Sequence, residues 1–260
     1  MGPPVIETSR DSYRNSHLDP AKVVAYDRDL LDPRAAKGVE WQLEQRILDE
    51  LLADRPRPET AIDFACGTGR LLGFLAQRAR RVIGVDISAA MIEVARQRCP
   101  QARLVHGDVT VTPGLLTESA DVVTAFRFLL NAEPPLRASA LDWMRDRLAP
   151  GGALIVNFHL NPSSARGRYL RLRRAPDLQM IGVAEACDLL AAHGLVARRL
   201  RGYSFLPYRR DGSRLAMPYL RSRIENRLAG VGSLTRLGSC FVILAERVPS
   251  QPSTGEARQG

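Results

Sequence analysis

The strongest constraint on this chain is a short apolar run that ends in an acid and passes directly into a glycine-punctuated turn: Ala61-Ile62-Asp63-Phe64-Ala65-Cys66-Gly67-Thr68-Gly69-Arg70. Leu71, Leu72, Phe74 and Leu75 then recur at helical spacing, so the turn joins a buried strand to a helix. Gly67 and Gly69 let the backbone approach a ligand without a Cβ in the way and reach positive φ. The helix start turns unpaired N–H groups toward an anion. Two glycines at a strand end also serve packing alone, and the loop by itself does not separate the two roles.

The same pattern then recurs downstream. Val82-Ile83-Gly84-Val85-Asp86 reads as a second strand ending in an acid, with Ser88 as N-cap of a helix over Met91, Ile92, Val94 and Ala95. A third strand, Ala102 to Asp108, closes with another acid. Asp63, Asp86 and Asp108 therefore fall on one rim, at the strand ends where open parallel sheets bind ligands. Upstream, Val39, Leu43, Ile47 and Leu51 repeat every four residues and predict a helix lying against the sheet.

Taken together with "ADVVTAFRF" as a fourth strand and "LAPGGALIVNF" opening a fifth, these segments resemble the class I S-adenosylmethionine-dependent methyltransferase family in its small-domain form, over about residues 35 to 160. A nicotinamide-binding fingerprint fits less well, because Leu72 stands where its third glycine belongs. The resemblance implies an α/β fold, a doubly wound, mostly parallel seven-stranded sheet of the Rossmann-like type, with S-adenosylmethionine as cofactor. It also implies a part for each matched position. Asp63 and the turn around Ala65, Gly67 and Gly69 would hold the amino-acid end of the cofactor, and Asp86 both ribose hydroxyls. Asp108 would accept from the adenine amine, with Ile87 and Val109 on the two ring faces and Phe126 nearby. Two of the acids have purely structural alternatives: Asp86 capping the helix at Ser88, and Asp108 starting a turn before Thr110. Tyr26, ahead of the first core helix, is placed to close over the cofactor or simply to pack.

Strands six and seven of the family would be residues 195–205 and 239–247. The connection between them, 207–238, is far longer than a hairpin needs. Leu220, Ile224 and Leu228 at four-residue spacing predict an inserted helix there, which would serve as a lid, a dimer contact or a partner surface, the lid being favoured.

Charge divides unevenly along the chain. Residues 165–247 hold sixteen Arg against six acids, a net +10, while the whole chain carries +9. A basic wall beyond the fifth strand favours an anionic acceptor, although arginines also solvate helix faces. The acceptor contacts expected are Arg127, Asn131, Tyr208 and Arg221. His159, where strand five ends, is the candidate general base, because imidazole titrates near neutrality. The Asn/Asp-Pro-Pro-Tyr/Phe motif of nucleic-acid amino-methylating enzymes is replaced by Phe126-Arg127-Phe128-Leu129.

With 260 residues and 45% apolar content the chain fills one α/β core, expected over 19–248, with a mobile segment at 1–18 and a disordered tail at 249–260. The four cysteines show no C-x-x-C spacing, the histidines do not cluster with them, and no apolar run approaches twenty residues. A cytoplasmic, soluble, reduced, metal-free monomer or homodimer with no membrane partner is expected. The function this predicts is methyl transfer from S-adenosylmethionine to a small or medium, anionic metabolite, O-methylation favoured. The alternatives are an RNA methyltransferase and a cofactor-binding scaffold without turnover.

Overall fold

The computed structural model describes residues 32, 34–173, 178–206 and 217–248. Tyr26, Tyr208, the segment 1–18 and the tail 249–260 lie outside them. The elements run α1 (Ala36–Leu52), β1 (Thr60–Phe64), α2 (Arg70–Leu75), β2 (Arg81–Asp86), α3 (Ala89–Arg98), β3 (Arg103–His106), β4 (Ala120–Ala125), α4 (Pro134–Arg147), β5 (Leu148–His159), α5 (Ala165–Leu172), α6 (Val183–Ala192), β6 (Leu195–Tyr203), α7 (Pro218–Ala229) and β7 (Cys240–Arg247). The seven strands form one sheet in the order β3-β2-β1-β4-β5-β7-β6. All neighbours are parallel except β7, which runs antiparallel to both β5 and β6.

Side-chain alternation along the strands builds two separate cores. Ile62, Val123, Val156 and Ile243 face α4 and α6 through Leu141, Met144 and Leu190. Their neighbours Ala61, Val122, Ile155 and Val242 face α1, α2 and α3 through Leu48, Leu51, Leu72 and Ile92. Burial on both faces explains why the central strands read as continuous apolar runs in the sequence. Val39, Leu43, Ile47 and Leu51 are all buried, as the spacing of α1 predicts. Strands six and seven end within two residues of the expected bounds.

Helix α7 is present in the long connection, packed on β6 and α1. Its orientation is less ordinary: Leu220 and Ile224 stand in solvent at 48% and 39% exposure, while Glu225 is buried at 1%.

Candidate active site

Strand order reverses between β1 and β4, and the loops at their C-terminal ends part there to leave a crevice. A cavity of about 250 Å3 opens in it, bounded by Ala65, Gly67, Asp86, Ile87, Asp108 and Val109 on one side and by Phe126, Arg127, Phe128, Asn131 and His159 on the other. A smaller hollow shares Ala65, Gly67 and Phe126 with it and adds Asp63 and Arg70.

The glycine turn is held to β2 by two bonds: the Cys66 N–H donates to the Val85 carbonyl at 3.0 Å, and the Gly67 N–H donates to Asp86 Oδ2 at 2.8 Å. Its two glycines have different duties. Gly67 sits at φ +54°, and a Cβ there would find nothing closer than Met91 Sδ at 3.9 Å, so its bare face opens toward the cavity. Gly69, at φ +77°, is the N-cap of α2. A Cβ on it would come within 3.0 Å of both Cα and Cβ of Ala95, so this glycine is required by the packing of α3.

Asp86 also accepts from the Ser88 N–H at 2.8 Å, while Ser88 itself caps α3 through the Met91 N–H. The two backbone donors fix the direction of a carboxylate that offers about four acceptor positions. Asp108 makes the turn that the sequence left open: its Oδ1 accepts from the Thr110 N–H at 2.9 Å and from the Thr110 hydroxyl. A turn role and a place on the cavity wall thus coexist in one residue.

Asp63 lies deeper, 3% exposed, opposite Thr124 in the β1–β4 register and bonded to its hydroxyl at 2.6 Å. Burial pushes its carboxyl up to about 7, against the pull of Thr124 and of Arg70.

The opposite wall rests on a buried ionic network that sequence reasoning did not find. Arg127 has φ +60°, a strained value for a side chain of its size, and its N–H is held by Asn157 Oδ1. Its guanidinium reaches Glu40 at 3.0 Å and Glu44 at 3.6 Å. Glu44, fully buried, also accepts from the Tyr203 hydroxyl at 2.7 Å, from Asn157 Nδ2 at 3.2 Å and from Arg70. Burial first, and then the Glu44 carboxylate, hold the Tyr203 hydroxyl well above its ordinary range, which keeps it a donor. Glu40 and Glu44 are four residues apart on a helix face otherwise made of core residues. That spacing was the available signal.

Of the expected acceptor contacts, Arg127 and Asn131 line the cavity, and so does the candidate base His159. Arg221 does not line it: its guanidinium bonds the Leu206 carbonyl and stands 3.7 Å from Glu225.

The lining combines acids fixed at adjacent strand ends with apolar Ile87, Val109 and Met91, a polarity that fits the hydroxyls and flat ring of a nucleoside. A methyltransferase-domain family model matches residues 61–152, which span β1 to the start of β5. The chain is 31% identical over 176 residues to the 2-phytyl-1,4-naphtoquinone methyltransferase of Thermosynechococcus vestitus, a match covering 64% of this chain and 75% of that protein. It belongs to the class I S-adenosylmethionine-dependent methyltransferases.

A second relative of this methyltransferase, the trans-aconitate 2-methyltransferase of Variovorax paradoxus, is 34% identical over 156 residues, which is 54% of this chain and 55% of the relative. The chain thus spans only about half of that protein's length. Among solved structures, an S-adenosylmethionine-dependent methyltransferase of Thermotoga maritima, described as a possible histamine N-methyltransferase, superposes with a TM-score of 0.60 at 21% identity, covering 88% of this chain and 98% of that one. At that identity the likeness establishes the fold.

Proposed function

We propose that this methyltransferase acts on a small organic acceptor carrying a hydroxyl and an anionic group, bound between the cofactor and the wall of Phe126, Arg127, Phe128, Asn131 and His159. One observation carries the reading: the fixed carboxylates Asp86 and Asp108 and the polar trio Arg127, Asn131 and His159 face each other across a single cavity.

When bound, S-adenosylmethionine supplies a methyl group activated by its sulfonium and departs as S-adenosylhomocysteine. Asp86 would accept from the ribose hydroxyls and Asp108 from the adenine amine, with Ile87 and Val109 offering apolar contact to the ring. Gly67 lets the backbone approach, while Asp63 faces the ammonium of the amino-acid end. On the acceptor side the tasks are alignment and proton removal. His159 takes the hydroxyl proton as the new O–CH3 bond forms. Arg127 directs its N–H groups at the acceptor anion. Because Glu40 and Glu44 share its charge, Arg127 acts more through the direction of its donors than through net attraction.

The test is incubation of the protein with S-adenosylmethionine labelled in the methyl group and a panel of hydroxy acids, phenols and amines. Product mass and S-adenosylhomocysteine release are then measured. Methyl esters or ethers formed preferentially on anionic hydroxy compounds support the reading. Cofactor binding without release of S-adenosylhomocysteine on any acceptor would leave a scaffold in place of an enzyme, and transfer only to amines would remove His159 as hydroxyl base.

A further inference from the structure

Helix α7 turns Glu225 and Arg221 inward, and Tyr219, Leu220 and Ile224 outward. Glu225 is buried against the Phe205 and Leu206 N–H groups at 2.8 Å each, and Arg221 lies beside it. Tyr219 is 76% exposed, with Leu220 and Ile224 half in water. An ordinary surface helix does the opposite. Nine of the twelve large apolar side chains exposed among the described residues fall between Tyr169 and Leu237, the same stretch that holds the arginine excess. In residues 217–237 the sole acid is the buried Glu225, so the exposed charges of this segment are Arg223, Arg227 and Arg236, all positive.

We propose that this face docks on an anionic lipid bilayer. The complement of such a surface has to be negative and apolar at one contact. A bilayer interface is both: α7 lies in the headgroup plane with Leu220 and Ile224 dipping toward the acyl boundary and Arg223 and Arg227 beside lipid phosphates. RNA supplies the charge and its bases stack on Tyr219 and Tyr169, but it leaves the exposed Leu220, Ile224 and Leu172 in water. A second copy of the chain would set the arginines of each face against those of the other. Helix α5 repeats the combination, with Tyr169 and Leu172 exposed beside Arg168, Arg171 and Arg173. Its approach is tied to the segment after α7 by Asn161 Nδ2, which donates to the carbonyls of Arg236 and Gly238. No helix among the described residues is long and apolar enough to cross a membrane, so the contact is peripheral. It is independent of methyl transfer.

The experiment is co-sedimentation of the full chain with vesicles of phosphatidylglycerol and phosphatidylcholine in equal parts, and with vesicles of phosphatidylcholine alone. Binding is expected to the first and not the second, and to weaken as salt rises from about 0.1 M to 1 M, where the screening length drops to about 3 Å. Leu220→Ser with Ile224→Ser, and separately Arg223→Gln with Arg227→Gln, should each lower vesicle affinity about ten-fold or more while the thermal shift on adding S-adenosylhomocysteine stays unchanged. Tyr219→Trp removes no charge from the face, and its emission should shift to the blue on phosphatidylglycerol vesicles. Any of four results overturns the proposal: no binding to the anionic vesicles at low salt, no blue shift, retention of an RNA oligonucleotide by the same arginines without vesicle binding, or a dimer in solution that Leu220→Ser dissolves.

Discussion

Replacing Asp63 by Asn should stabilise the protein above neutral pH while weakening its hold on the cofactor. The carboxyl is 3% exposed, and burial moves it from 3.8 to about 7 in the folded chain, with Asp86 adding a smaller push in the same direction. Because the folded value lies above the unfolded one, the native state keeps its proton over a range in which the unfolded chain has lost it. Stability therefore falls as pH rises from about 4 to about 7 and levels off beyond. At about 1.4 kcal/mol per pH unit, the full displacement costs about 4 kcal/mol at pH 8. An Asn keeps the bond accepted from Thr124 but carries no charge and places an amide N–H2 in the interior, which returns about 1–3 kcal/mol of that gain. Urea unfolding of both proteins measures the difference, and comparing them cancels the other titrating groups. From pH 5 to pH 8 the stability difference, variant minus wild type, should grow by about 2–3 kcal/mol. Calorimetry with S-adenosylmethionine should show the opposite trend, a loss of about 1.5–3 kcal/mol for a missing charged partner. A difference in stability that does not change with pH would refute the argument, since it would mean that Asp63 is ionised in the fold throughout.

Other perturbations test the remaining parts of the site. Asp86→Ala should weaken S-adenosylmethionine by about 1.5–3 kcal/mol in calorimetry, and unchanged affinity in a folded variant would take Asp86 out of the ribose site. His159→Ala should lower kcat by about 10²–10⁴ with cofactor affinity nearly unchanged, and full activity would leave alignment as the mechanism. Gly69→Ala drives a Cβ to 3.0 Å from Ala95 at φ +77° and should cost about 1–3 kcal/mol in thermal unfolding. Glu44→Ala takes from Arg70 its buried ion-pair partner and leaves Arg127 with Glu40 alone, and should cost about 3–5 kcal/mol, measured in denaturant. A loss near zero would mean that water enters to solvate them.

Sequence alone determined the parts set by local periodicity and turn chemistry. The three-strand rhythm to Asp108, the Ser88 cap, the crevice-facing turn and the rim of Asp86 and Asp108 follow from spacing along a few neighbouring residues, strands four and five follow from the family resemblance, and the structure has them all in those places. The two glycines were recognised together, but their division of labour was not. Whether a missing Cβ leaves room for a ligand or for Ala95 depends on a helix that lies more than twenty residues downstream. The network of Glu40, Glu44, Arg127, Asn157 and Tyr203 was out of reach for the same reason. Its members come from α1, the turn after β4, β5 and β6, and a charged residue reads as surface in sequence until folding supplies its partner. The outward Leu220 and inward Glu225 of α7 make the point most plainly. Four-residue spacing gave the helix, but which side faces β6 and α1 was decided by two backbone N–H groups of Phe205 and Leu206 that needed an acceptor in the interior.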